Sequence, residues 1–328
     1  MHAASLSVHK CHRMFPTSTQ KKHWMFKDDD EIFKCRQETN RRFIEKHGAG
    51  MPEDKRAEFF LSAQEEKIVT QYYEYHLRDF CKVFQPPMPK AVLGTASHYF
   101  KRFYMHSSVM DFHPKGILVT CVYLSCKVEE FNVSIGQFVA NVKGDKDKAT
   151  DIILNNELTV MHAVNYHLTV HNPFRPVEGL LIDIKTRCSS LQSPDRLRAG
   201  IDEFLEAVLF TDAVLLFAPA QIALAAILYA VSRVQENLDA YVTSQLLSSA
   251  SRPQLQALVE AVRKIRLLAK MVEQPQRDVV KQLERKLEKC RNQDNNPESQ
   301  AYKRRMREML EEEDEIQSYK VARVDSDS

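Results

Sequence analysis

The sequence predicts an all-α chain: two tandem five-helix modules with extra helices at the N- and C-terminal ends. Three observations carry this. Only 8 of 328 residues are Gly, about a third of the ~7% average, and sheet folds need turn glycines. Apolar residues recur at helical spacing along most of the chain, punctuated by capping pairs. Lastly, Pro114 and Pro219, 105 residues apart, each open an apolar helix. The two segments superpose as Ile117 on Ile222, Val119 on Leu224, Cys121 on Ala226 and Val122 on Ile227. Repetition of one unit around a central apolar helix is the simplest reading.

The elements follow in order. Residues 1–27 contain no Asp or Glu and carry Lys10, Arg13, Lys21, Lys22 and Lys27, which predicts a flexible basic arm. Asp28, Asp29, Asp30 and Glu31 place negative charge at the start of a helix that ends before His47-Gly48, so an N-terminal helix occupies 28–48. Ser62 and Glu65 form a capping box ahead of Ile68, Tyr72, His76 and Phe80. A second helix from Pro89 carries Tyr99, Phe100, Phe103 and Tyr104. The third, from Pro114, is apolar nearly all round and therefore buried by its neighbours. Ser134 and Gln137 cap a short fourth helix; after a charged loop at 143–148, a fifth runs from about Thr150 to His167. The first module thus spans 60–171 and the second 172–272, with helices near 176–187, 195–212, 219–233, 237–247 and 253–271. A last helix at 276–291 holds Val280, Leu283, Leu287 and Cys290 on one face, suited to docking on the body or to a coiled coil. Residues 292–328 are expected to form a charged, disordered tail, with Lys303-Arg304-Arg305-Met306-Arg307 followed by Glu311 to Glu315. That basic run reads equally as a nuclear address or as a solvated helix.

Composition excludes several chemistries. Eight scattered glycines cannot build a phosphate-cradling loop, and the sequence contains no G-x-S-x-G and no H-E-x-x-H. His162 and His167 are five apart and do not share a helical face. The chain is expected not to be an enzyme, and to need no cofactor. Seven cysteines without C-x-x-C spacing argue against a disulfide framework. His9, Cys11 and His12 read as a polar tail and no metal site is expected. Ala213 to Val231 is long enough to span a membrane. Pro219 in its middle suits the first turn of a new helix, so two buried half-segments are expected and no membrane contact. A net charge of +2 offers no basic field for nucleic acid.

Lys127 breaks the pattern by ending an otherwise apolar helix, where the second copy has Ser232. Spacing alone reads it as a lysine that snorkels at a helix end and favours the dipole there.

Several runs resemble the cyclin family. They are Gly94-Thr95-Ala96 with Tyr99-Phe100-Lys101-Arg102-Phe103-Tyr104, Ser108-Val109-Met110, His113-Pro114 and Phe131-Asn132-Val133-Ser134. They continue with His171-Asn172-Pro173-Phe174-Arg175-Pro176, Leu181 to Thr186, Thr211-Asp212-Ala213, Pro219 to Leu224 and, in the arm, Gln20-Lys21-Lys22-His23-Trp24. The resemblance implies two cyclin boxes, the first binding a cyclin-dependent kinase. It implies that Lys127 and Glu157 form the kinase-contacting pair and that Val128, Met161, Tyr166 and Leu168 surround it with apolar contact. Glu157, Met161 and Leu168, at offsets 0, 4 and 11, are expected on one helical face.

Within the family the resemblance points to the CDK-activating, transcription class. The implied partners are the catalytic subunit of a CDK-activating kinase, a RING-finger assembly factor and subunits of general transcription factor IIH, in the nucleus. Such a kinase acts on activation loops of other cyclin-dependent kinases and on the RNA polymerase II tail. The Met-Arg-Ala-Ile-Leu docking motif of cell-cycle cyclins is absent; Glu65-Glu66-Lys67-Ile68-Val69 stands there instead. Met14 falls where the family's initiator would be. The alternatives are a cyclin-fold transcription scaffold that binds DNA or promoter factors, and a cyclin C-like subunit of another transcriptional kinase.

Overall fold

The computed structural model describes residues 14–188, 191, 193–308 and 311, and among these no strand occurs. In chain order the helices are α1 (Met14–Thr17), α2 (Thr19–His23), α3 (Asp29–His47), α4 (Glu53–Phe59), α5 (Ala63–Val83), α6 (Lys90–His106), α7 (Pro114–Val128) and α8 (Ile135–Ala140). They continue with α9 (Lys146–Ala163), α10 (Phe174–Arg187), α11 (Arg198–Leu209), α12 (Ala213–Leu216), α13 (Pro219–Arg233), α14 (Asp239–Tyr241), α15 (Arg252–Lys270) and α16 (Arg277–Cys290). The chain divides into two compact units. One is Asp30–Tyr166 with the chain from Glu273 onward, and the other is His167–Val272 with the chain up to Asp29.

In the first unit α7 packs against α5, α6 and α9. Its Ile117, Leu118, Cys121, Val122 and Leu124 are all buried, as an apolar helix requires. Pro114 sits at its first turn, where the missing N–H costs nothing, and the His113 side chain accepts from the Lys115 N–H at 3.2 Å. The Ser62–Glu65 and Ser134–Gln137 capping boxes both form. At the end of α3, a Cβ on Gly48 would come within 2.7 Å of the Ile44 carbonyl oxygen, so a side chain there cannot follow this turn. The core holds two polar knots. Lys101 Nζ donates to Glu74 Oε1 at 2.7 Å with both side chains buried. The Glu66 carboxylate accepts from Asn40 Nδ2 (2.7 Å), Ser108 Oγ (2.9 Å) and the Val109 N–H (2.9 Å), which ties α3 and α5 to the turn after α6. α16 docks Val280, Leu283, Leu287 and Cys290 on α4 and α5, fixed by Tyr73–Glu284 at 2.8 Å and Lys286–Glu65 at 2.9 Å.

In the second unit α13 takes the central place, against α10, α11 and α15. The repeat read from sequence extends to the backbone. Sixteen residues after each opening proline the chain turns through a left-handed residue, Glu130 (φ 56) and Gln235 (φ 58). The closing bonds match as well, Phe131 N–H to Cys126 O at 2.9 Å and Glu236 N–H to Val231 O at 3.1 Å. Residues 213–231 form α12 and most of α13, with the break at 217–218 just before Pro219. Among the described residues no helix is long and apolar enough to cross a membrane.

Four expectations need correction. Residues 14–23 are not a bare arm but two short helices, with Gln20 and Trp24 buried. α4 occupies a stretch to which the sequence assigns no element, because seven residues are too few to display a periodic stripe. The fifth helix of the first module runs Lys146–Ala163, not from Thr150 to His167: Asp145 caps it early by accepting from the Lys148 N–H at 3.2 Å. It ends early because Asn165 (φ 52) and Tyr166 (φ 56) turn left-handed. Finally, the tail is ordered at first, through a 3₁₀ turn at Gln293–Asn295 and a helix at 300–308. Residues 1–13, with His9, Cys11 and His12, and the acidic residues beyond Glu311 lie outside the described residues.

Candidate functional site

Lys127 stands in the last turn of α7, the first exposed side chain after a buried run from Thr120 to Cys126. Its Nζ donates to both Glu157 oxygens, Oε1 at 2.7 Å and Oε2 at 2.9 Å. The ammonium also lies 4.6 Å from the centroid of the Tyr123 ring, one turn earlier, in cation–π contact. Glu157 comes from α9, which packs directly on α7. Gly116 permits this approach, since a Cβ there would stand 3.2 Å from Ile152 Cγ2. Lysine offers three N–H donors and a carboxylate about four lone-pair sites, so the pair keeps capacity for a further partner. A partly exposed pair of this kind contributes only about 0–1 kcal/mol to stability. Holding the fold together is therefore not what these two charges are good for.

The surroundings are apolar. α9 buries Ala149, Ile153 and Val160. A second stripe, Leu154, Glu157, Leu158 and Met161, follows at i, i+3, i+4 and i+7 and lies toward solvent. Leu154 is 47% exposed, Leu158 67% and Tyr166 60%; Met161 and Val128 are half-buried. Leu168 does not lie on the face of Glu157 and Met161, because α9 ends at Ala163. It is half-buried in the segment that belongs to the second unit. The sequence reading passes over Leu154 and Leu158. Their signal is the second apolar stripe on one helix, which is more than a single core contact uses.

The remaining candidates for chemistry are elsewhere or closed. His98 is fully buried, and burial together with Arg102 and Lys101 holds its pKa well below the usual histidine range. Cys81, Cys121 and Cys126 are buried thiols whose pKa burial pushes up, which makes them inert. Among the described residues no group of three metal-ligating side chains gathers.

Residues 61–169 match the cyclin N-terminal domain and residues 172–270 the cyclin C-terminal domain. Cyclin-H of Xenopus laevis is 44% identical over 280 residues, covering 84% of this chain and 87% of that protein. Cyclin-H1-1 of Arabidopsis thaliana is 30% identical, covering 84% and 88%. Among solved structures, a chain of the CAK complex of Chaetomium thermophilum bound to ATP-gamma-S aligns with a TM-score of 0.73 at 24% identity, over 90% of this chain and 94% of that one. A chain of the yeast TFIIK (Kin28/Ccl1/Tfb3) complex aligns with a TM-score of 0.61 at 23% identity, over 77% and 99%. Both likenesses establish the shared all-α fold.

Proposed function

Because the chain belongs to the cyclin family, in its cyclin-H group, we propose that it is the regulatory subunit of a cyclin-dependent kinase of the CDK-activating class. The observation that carries this reading is the solvent-facing apolar stripe of α9 around the Lys127–Glu157 pair. Exposed leucines beside a charged pair with unused hydrogen-bond capacity make a protein-docking surface, with an apolar centre and polar register marks. In this reading Lys127 donates to backbone carbonyls of the kinase, Glu157 accepts from its amides, and Val128, Leu154, Leu158, Met161 and Tyr166 supply the apolar contact.

The action is conformational. Phosphoryl transfer requires the strand lysine of a kinase to pair with the glutamate of its αC helix. A subunit that binds better to the arrangement with that pair formed shifts the population toward it, by no more than its difference in affinity for the two states. In this reading the kinase, and not this chain, supplies the catalytic groups. Its cyclin-H membership supports further partners, a RING-finger assembly factor and the subunits of transcription factor IIH. It also supports action in the nucleus on kinase activation loops and on the RNA polymerase II tail.

The test is co-purification with candidate kinases followed by an activity assay. Lys127→Ala combined with Glu157→Ala is expected to weaken kinase binding and activation while the helical circular dichroism of the isolated chain stays unchanged. Wild-type binding and activation by the double variant would remove the pair from the interface.

A further inference from the structure

Of the 13 prolines in the chain, Pro194 alone follows a Ser or Thr, and the run reads Ser193-Pro194-Asp195-Arg196. Pro at +1 and a basic side chain at +3 are the two features that proline-directed kinases read around a hydroxyl. Ser193 lies in the connection between α10 and α11 and is exposed. It stands just before the 3₁₀ turn Pro194–Leu197, and its hydroxyl makes no capping bond to that turn. We propose that Ser193 is a phosphorylation site for a proline-directed Ser/Thr kinase.

In the reaction Ser193 Oγ attacks the γ-phosphorus of MgATP. An Oγ–P bond forms as the bond from that phosphorus to the β–γ bridging oxygen breaks. ADP leaves with the electron pair, and the hydroxyl proton passes to the catalytic carboxylate of the kinase. Arg196 is exposed and held in a surface pair with Glu236, whereas Pro194 is buried, so the kinase reads it only when the turn opens. Little backbone bonding opposes this. The turn is four residues long, and the bond from the Arg196 N–H to the Ser193 carbonyl is a long 3.3 Å.

Two cations already gather at the neighbouring Asp195. Asp195, two residues on, is held by Lys185 at 2.5 Å and Arg198 at 3.1 Å, and these neighbours keep its carboxyl below the usual range. A phosphate on Ser193 carries nearly two negative charges and three strong acceptor oxygens, and it competes with Asp195 for the same two side chains.

The experiment treats the full chain with MgATP and a purified proline-directed kinase of the cyclin-dependent class, with a control peptide phosphorylated in the same reaction. Phosphate is located by tandem mass spectrometry. One phosphate per chain on Ser193 is expected, lost in Ser193→Ala and restored on the new hydroxyl in Ser193→Thr. Glu236→Gln frees Arg196 and is expected to raise the initial rate severalfold. Ser193 left unmodified while the control peptide is labelled, or full incorporation into Ser193→Ala, overturns the site. An unchanged rate in Glu236→Gln overturns Arg196 as the basic side chain the kinase reads.

Discussion

Leu158 and Lys127 divide the labour of the proposed surface, one supplying area and the other register. At 67% exposure Leu158 does little for the fold, and a central apolar contact in an interface is where truncation costs most. Leu158→Glu is therefore expected to lower affinity for the kinase about tenfold or more, measured by calorimetry or biolayer interferometry. The unfolding midpoint of the isolated chain should not move. How far this site is legible in the sequence depends on what each residue must satisfy. Lys127 stands out because a charge interrupts an apolar helix. Glu157 is an ordinary helical glutamate until resemblance singles it out, and its contact with Lys127 crosses thirty residues of chain. Leu154 and Leu158 stay hidden because an apolar residue looks the same in sequence whether it faces the core or a partner.

At the scale of the helix, the turn that ends α9 decides where the surface stops. Tyr166 is held at φ 56, a region that costs a residue with a Cβ about 1–2 kcal/mol. Strain of this kind persists where the surroundings enforce it, commonly beside a functional surface. Tyr166→Gly is expected to raise the stability of the isolated chain by about 1 kcal/mol and to weaken kinase binding. Chemical denaturation and a binding titration on one preparation read the two opposite changes. Helices announced by caps or an opening proline, α5, α7 and α8, are legible from their residues. α1, α2 and α4 are not, since four to seven residues complete too little of an apolar stripe to be seen. The limits of α9 elude the sequence for another reason. Asp145 and Asn165 look like loop residues, and only the backbone tells which of them opens the helix and which lies beyond its end.

At the scale of the whole molecule, two buried histidines make one unit sensitive to acid. His98 and His113 lie within Asp30–Tyr166, and burial depresses the pKa of each below the ordinary 6.5, to about 4 for His113. In the unfolded chain these groups take up protons near pH 6.5; in the fold they stay neutral to lower pH. Their share of stability is full above 6.5 and falls as the pH drops toward the folded values. The slope is up to about 1.4 kcal/mol per pH unit for each histidine. Urea midpoints are thus expected to decline from pH 7 to pH 5, and His98→Gln is expected to flatten the decline.

The other unit carries its own probe. The chain has 1 Trp, and Trp24 is 1% exposed, with its Nε1–H donating to His167 Nδ1 at 3.0 Å. That bond requires an unprotonated Nδ1, and the ring of His23 stacks on His167 at 4.7 Å. All of the indole fluorescence of the protein therefore originates at the seat of its N-terminal segment. Release of that segment registers as a red shift in emission, with no label added and no contribution from elsewhere in the chain.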